Sequence, residues 1–296
     1  MHLAPIWHTT PASPLRYPGG KARLFPFVTT LIERNRLKGC RYIEPFAGGA
    51  GLALALLRAS IVATVELNDY DRAIYAFWKS ILGHTKEFVQ RVRTTPLTIE
   101  EWDRQKAIHS NRAQSELFDL GFATFYLNRT NRSGILRAGV IGGRQQDGTF
   151  RIDARFDKTA LIQRIEEIAS RRSQIVISRR DAKRYIRNID DANRCHTFVY
   201  LDPPYFHKGP DLYLNNYGAA EHQGVRDAIA ALAVPWMVSY DDVSEIRTLY
   251  TSFAKRRCSL WYTADKTRLG REVLFFSRSL AIPRMSHAKP KIARSA

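Results

Sequence analysis

The tightest constraint on this chain is a repeated alternation of two periodicities. CRYIEPF is a short apolar run that ends at a glycine cluster, LALALLRAS continues with helix formers, and IVATVEL is β-branched again. DRAIYAFWKSIL carries apolar residues at helical spacing. QIVISRRD, HTFVYLDPP, PWMVSYDD and REVLFFS each read as a strand followed by polar or helical residues. Strands alternating with helices assemble into a mostly parallel sheet covered on both faces, so the expected class is α/β. With 296 residues and 45% hydrophobic content, the chain has enough apolar side chains to fill such a core.

Residues 83–173 break the alternation, being rich first in helix formers and then in Arg, Asn and Gly. They read as a mainly helical insertion into a domain made of residues 14–82 and 174–282. Within GVIGGRQQDGTFRI, Asp147 and Gly148 lie between β-prone runs, which predicts a β-hairpin with a type I′ turn. Residues 1–13 and 283–296 are polar, Pro-rich or basic without an apolar period, which predicts flexible termini.

The net charge of +18 gives a pI near 10.1, beyond what solubility requires, and points to a polyanionic partner. A membrane surface would also attract such charge. No stretch, however, approaches the roughly 18 apolar residues of a span. The first residues lack the charged and apolar regions of a signal peptide, so a cytoplasmic protein is expected. Cys40, Cys195 and Cys258 form no C-x-x-C pair and the eight histidines are scattered, so neither a disulfide framework nor a metal is expected.

Two stretches carry chemistry. YIEPFAGGAGLALALL sets Gly48, Gly49 and Gly51 between a strand and a helix, where a ligand can approach the backbone and the helix offers free N–H groups. A plain tight turn is the other reading, since G-x-G-x-x-G is absent. The next strand is read to end at Glu66, near the roughly 20-residue offset at which such folds place a ribose-binding acid. A glycine turn plus a strand-end acid, with no phosphate cradle and no basic residue in the turn, suits an adenosine-type cofactor without phosphates. In FVYLDPPYF, Asp202 closes a strand at its carboxyl end. Pro203 and Pro204 have no N–H to donate, which leaves the carboxylate and nearby carbonyls as unopposed acceptors. Tyr205 and Phe206 add flat faces. Acceptors beside a stacking surface suit a planar base with an exocyclic amine. An edge loop is the alternative.

These stretches, in this order, resemble the Dam-type (D12, α-class) family of DNA adenine-N6 methyltransferases. RYPGGK, from Arg16 to Lys21, resembles the family's N-terminal cofactor motif. EPFAGGAG, from Glu44 to Gly51, resembles its glycine-rich cofactor loop, and DPPY, from Asp202 to Tyr205, its catalytic motif. FYLNRTNRSGILR, from Phe125 to Arg137, resembles the opening of its recognition domain. The resemblance implies a Rossmann-like class I methyltransferase sheet with an inserted target-recognition domain. It also implies methyl transfer from S-adenosylmethionine to adenine N6 of a base flipped out of double-stranded DNA. Carried over by position, it places Tyr17, Lys21, Glu44, Pro45, Phe46, Gly48, Gly51, Glu66, Asp181 and Asp202 around the cofactor. Lys21 would lie near the methionine carboxylate, Glu66 on the ribose and Asp181 on the adenine. Asp181 reads equally well as a helix N-cap ahead of AKRYIR. Asp202 and the Pro203 carbonyl would accept the target amine, with Pro204 shaping the turn and Tyr205 stacking on the base. Tyr17 and Glu66 stand where Trp and Asp are commoner, and both keep the chemistry.

Asn128, Arg129, Asn131, Arg132, Arg137 and Arg144 are the expected DNA-facing residues, with Gln145 and Gln146 beside the predicted hairpin tip. Arg suits guanine and Asn suits adenine in the major groove, while phosphate contact or a solvated face is the alternative for each. RRSQIVISRRDAKRYIR reads as a phosphate-facing surface. Tyr213 and Tyr217 could flank a flipped base or simply pack in a loop. Rival activities are cytosine-N4 methylation, RNA adenine methylation and catalytically silent DNA binding. DPPY and the Arg/Asn-rich insertion favour adenine in duplex DNA. The enzyme is expected as a monomer, acting alone or beside a restriction endonuclease.

Overall fold

The computed structural model describes residues 11–16, 21–190, 196–206, 217–262 and 268–284. Seven strands form one sheet: β1 (Cys40–Glu44), β2 (Val62–Asn68), β3 (Ile175–Ser178), β4 (Thr197–Leu201), β5 (Trp236–Asp241), β6 (Ala254–Tyr262) and β7 (Arg268–Phe276), in the order β3-β2-β1-β4-β5-β7-β6. The first five are parallel, and β7 runs antiparallel to both β5 and β6. This is the expected Rossmann-like α/β sheet. The chain moves outward from β1 to β3 and then returns to start β4 on the other side of β1. The strand order therefore reverses between β1 and β4, and a crevice opens at their carboxyl ends.

Alternation along the strands splits the core in two. Tyr42, Val65, Phe198 and Tyr200 face one side, where α1 (Phe25–Arg34), α2 (Gly51–Arg58) and α3 (Arg72–Gly83) pack. Ile43, Val199, Leu201 and Val238 face the other, under α8 (Ala182–Arg187), α9 (Ala219–Ala230) and α10 (Ser244–Leu249). Between α3 and β3 the chain forms α4 (Thr85–Thr94), α5 (Ile99–Ser110), α6 (Leu117–Thr130) and α7 (Lys158–Ser170). This helical segment is built into the first of those cores. Phe77 of α3 stacks on Phe125 of α6 at 6.0 Å, and Phe88, Phe122 and Phe156 close around the pair.

Two expectations are corrected. Strand β2 continues past Glu66 to Asn68, because Asn68 still pairs with Ser178 of β3. The hairpin predicted at Asp147-Gly148 is not formed. Its region contributes only a single bridge, Asn131 with Val140. The Gln146 amide bridges the loop instead: its Nε2 donates to the Ile141 carbonyl at 2.7 Å and its Oε1 accepts from the Ile152 N–H at 2.7 Å. Positive φ falls at Gly142, Gly143 and Gln146 instead of the two turn residues. Of the termini expected to be flexible, only residues 11–13 and 283–284 are described. Ala12, Ser13 and Leu15 are buried, and the Arg16 N–H donates to Asn128 Oδ1 at 2.7 Å. At the other end Pro283 is buried.

Helices α3 and α6 approach closely through Gly121. A Cβ there would lie 2.5 Å from Ser80 Oγ and 2.6 Å from the Ala76 carbonyl oxygen. Gly121→Ala should therefore destabilise the fold by about 1–3 kcal/mol in urea titrations. An unchanged midpoint would show that the two helices can separate without cost.

Candidate functional site

The turn after β1 is fixed by the end of β2. Asn68 Nδ2 donates to the Pro45 carbonyl at 3.1 Å and to the Arg180 carbonyl at 3.0 Å, and the Ala47 N–H donates to the Asn68 carbonyl at 2.9 Å. Asp69 accepts the Gly48 N–H at 2.8 Å, and Trp78 Nε1 donates to the Gly48 carbonyl at 3.0 Å. Gly48 and Ala50 both adopt left-handed backbone, at φ 45° and 48°, which turns the chain sharply into α2. The clasp by Asn68 and Asp69 was not read from the sequence. Its signal is the Asn-Asp pair that closes strand β2 and begins the turn after it.

Glu44, at the tip of β1, is buried and accepts from the Tyr42 hydroxyl at 2.9 Å. Its carboxyl is pushed up to about 8 by burial, against the Tyr42 hydrogen bond, with the Asp202 charge adding to the rise. Asp69 is pushed up to about 7 by burial and by the charge of Asp71.

Glu66 lies inside β2 and is engaged. Arg41 grips its carboxylate with two nitrogens, one at 3.1 Å, and the Tyr185 hydroxyl donates to it at 2.9 Å. Asp181 caps α8, accepting the Arg184 N–H at 3.0 Å. Phe46 meets Tyr217 edge-on at 6.1 Å, and Tyr217 also packs on His222 at 5.6 Å. The Tyr217 phenol is pushed up by burial and then by the charges of Asp181 and Asp69. A Cβ added at Gly51, at the start of α2, would lie 3.7 Å from the Ala22 Cβ, an ordinary contact. Tyr17 and Tyr213 fall outside the described residues.

A buried ion cluster forms the rest of the site. Strand β4 delivers Asp202 at its carboxyl end. The Lys21 ammonium lies 2.9 and 3.0 Å from the two Asp202 oxygens, 2.9 Å from the Tyr205 hydroxyl and 3.2 Å from Glu272 Oε1. The Tyr205 hydroxyl also donates to Glu272. Ser239 of β5 donates to Asp202 Oδ1 at 2.8 Å and is itself bonded to the Tyr200 hydroxyl at 2.8 Å. Exposure differs sharply within the cluster. The side chains of Lys21 and Glu272 are 5% and 0% exposed, whereas that of Asp202 is 21% exposed and still opens to the crevice. Burial pushes the Asp202 carboxyl up, the Lys21 ammonium holds it down, and the Glu272 charge pushes it up again. Lys21 also lies 5.0 Å from the Tyr205 ring centre. Pro203 and Pro204 are buried, and the Phe206 N–H donates to Asp241 at 3.2 Å. Glu272, in the β7 run REVLFFS, was not singled out from the sequence.

The residues expected to face DNA divide into two groups. Asn128 and Asn131 are corrected to interior roles. Asn128 Nδ2 donates to the Arg16 and Gly134 carbonyls at 2.7 and 2.9 Å, and its Oδ1 accepts from the Arg16 N–H. Asn131 accepts from Trp102 Nε1 at 2.7 Å and donates to the Ile135 and Leu136 carbonyls. Both amides are fully used and buried. Gln146 is likewise turned inward. Arg132, Arg137, Arg144 and Gln145 are exposed, with Arg144 paired to Asp103 at 2.8 Å. Arg129 lines a separate cleft with Arg155 and Lys158.

The raised Glu44 carboxyl has a consequence for stability. The unfolded chain releases this proton near 4.5 and the folded chain near 8, so the folded state holds more protons between those values. The contribution of Glu44 is therefore complete below pH 4.5 and is lost as pH rises toward 8. Glu44→Gln should gain stability over the wild type progressively across that window, read by urea midpoints at a series of pH values. A constant difference would contradict the shift.

A search of curated proteins returns no match. Among solved structures, the chain is similar to PH1948 of Pyrococcus horikoshii, an assigned RNA methyltransferase, at 11% identity over 89% of this chain and 84% of that one, with a TM-score of 0.42. It is also similar to the rRNA methyltransferase aviRa of Streptomyces viridochromogenes, at 13% identity over 94% and 88% of the two chains, with a TM-score of 0.38. For TrmN of Thermus thermophilus the identity is 13%, the coverage 83% of this chain and 46% of that one, and the TM-score 0.37. A family model spans both motif-bearing halves and the helical segment between them, over residues 17–263, and by that match the chain belongs to the D12 class of N6 adenine-specific DNA methyltransferases.

Proposed function

We propose that the protein transfers a methyl group from S-adenosylmethionine to N6 of an adenine flipped out of double-stranded DNA. One observation carries this reading. At the point where the strand order reverses, a glycine turn with a left-handed backbone follows β1, and the neighbouring strand β4 delivers a partly exposed Asp202 carboxylate held by Lys21 and Ser239. The crevice suits the cofactor chemically. Phe46 and Tyr217 offer aromatic faces, Glu66 and Asp69 offer acceptors for ribose hydroxyls, and Asp181 stands near Tyr217 for an adenine amine. Tyr17 and Lys21 belong to the same binding set by family position. Bound there, S-adenosylmethionine supplies an electrophilic sulfonium methyl.

The target amine is a weak nucleophile because its lone pair is delocalised into the ring. Asp202 and the Pro203 carbonyl accept its two N–H groups and so draw the lone pair back onto nitrogen. Acceptors fixed in advance stabilise the positive charge that develops on that nitrogen without reorganising during the reaction. Once methylated, the nitrogen is acidic, and its proton leaves along the hydrogen bond to Asp202. Tyr205 is held through its hydroxyl by Lys21 and Glu272, and its ring gives the flipped base a stacking face. A base inside a duplex cannot reach such a pocket, so flipping is required, at a cost of a few kcal/mol. The exposed Arg132, Arg137 and Arg144 supply contacts to the duplex.

The test is methylation of unmodified plasmid DNA with S-adenosylmethionine, with modified bases mapped by single-molecule sequencing. Wild type should yield N6-methyladenine in a fixed sequence context. Asp202→Ala should lose at least about a thousandfold in rate, as when a key acceptor of transition-state charge is removed, while still binding duplex DNA. Methylated cytosine, or modification of RNA alone, would replace the proposed substrate. Undiminished methylation by Asp202→Ala would remove that residue from the mechanism.

A further inference from the structure

Phe206 and Tyr217 converge on one buried imidazole. His222, in α9, is completely buried. Its ring centre lies 5.2 Å from that of Phe206, 5.6 Å from that of Tyr217 and 5.5 Å from that of Tyr240. Phe206 directly follows the DPPY motif. Tyr217 meets Phe46, which leads into the glycine turn. A single side chain therefore touches a ring beside the target-base motif and a ring that packs on the cofactor turn.

Strand β5 supplies the frame. Its three consecutive residues hold three different parts. Ser239 donates to Asp202 at 2.8 Å, the Tyr240 hydroxyl is hydrogen-bonded to His222 Nδ1 at 3.2 Å, and Asp241 accepts the Phe206 N–H at 3.2 Å. Successive strand residues point to opposite faces, so Ser239 and Asp241 serve the motif while Tyr240 serves α9.

Packing alone does not explain an imidazole here. Burial lowers its pKa, against the charges of Asp241 and Glu221, so the ring packs in its neutral form. Nε2 is sealed from solvent with no hydrogen-bond partner among the described residues. A buried nitrogen without a partner is a cost that a phenyl ring would avoid. What the imidazole offers and a phenyl ring does not is a directed bond to Tyr240. That bond fixes the ring plane, and with it the angles of 37° and 63° at which Phe206 and Tyr217 pack.

We propose that His222 is a positioning residue that links the two halves of the crevice, so that cofactor and target duplex bind more tightly together than apart. This rests on the reading of the crevice given above and adds the residue through which its halves communicate. The probe is S-adenosylhomocysteine, which has no methyl group to transfer, titrated calorimetrically with and without a duplex carrying the methylated sequence. Wild type should bind it about tenfold more tightly when the duplex is present. His222→Phe keeps a ring and removes the bond to Tyr240, and Tyr240→Phe removes the same bond from its other end. Each should cut the enhancement to about twofold, and the double variant should lose no more than either alone, because all three lack one and the same bond. The double variant leaves no polar atom of this contact buried and unpaired, so its urea midpoint should stay close to that of wild type. An enhancement that persists in the variants, even with weaker binding overall, would overturn the proposal. So would losses that add in the double variant. A wild type that binds both ligands without enhancement would overturn the link alone. A wild type that binds no S-adenosylhomocysteine would overturn the reading of the crevice along with it.

Discussion

The Lys21 ammonium is the contact on which the site depends. It is buried and touches Asp202, Tyr205 and Glu272 at once. Taking one ammonium and two carboxylates out of water is expensive, and the arrangement persists only because each is closely paired. Removing one partner of such a cluster leaves uncompensated buried charge, at a cost of about 3–5 kcal/mol. The elements that meet here, the short turn before α1, strands β4 and β5, and strand β7, are thereby fixed relative to one another. The result is a carboxylate that is held still yet remains partly open to the crevice, which is what acceptance of a substrate amine requires.

The sheet explains why this cluster and the glycine turn sit on neighbouring strands. Reversal of strand order between β1 and β4 leaves the ends of those two strands uncovered by their own connections. Glu44 closes β1 and Asp202 follows β4, and the charge of Asp202 is felt in the raised carboxyl of Glu44. The turn on one side and the ion cluster on the other are therefore coupled through adjacent strands.

Much of this was legible in the residues, for physical reasons. The buried strands β4 and β5 are largely apolar runs and announce themselves, as do the β-branched runs of β2 and of β3, although β3 lies at the sheet edge with Val176 exposed. The start of β6, AKRRCSLWY, does not, because Lys255, Arg256 and Arg257 on this edge strand are exposed. Glu272 was missed because an acid beside Arg271 looks like a solvated strand residue. Only the pairing of β5 with β7 carries it under Lys21. Asn128 and Asn131 have the composition of base readers, but burial commits both amides to local carbonyls, and sequence carries no signal for that choice. The Asp-Gly hairpin signal was real as a propensity. It lost to Gln146, whose one side chain satisfies the backbone groups across the loop.

The most direct measurement is the pH profile of single-turnover methyl transfer for wild type and Lys21→Met, with DNA and S-adenosylmethionine saturating. If Lys21 holds the Asp202 carboxylate ionised against burial and Glu272, losing the ammonium must raise the Asp202 pKa, and the acid limb of the profile should move to higher pH. An acid limb that stays in place, with only the rate reduced, would contradict the electrostatic role of Lys21 and leave it as a cofactor-binding residue alone.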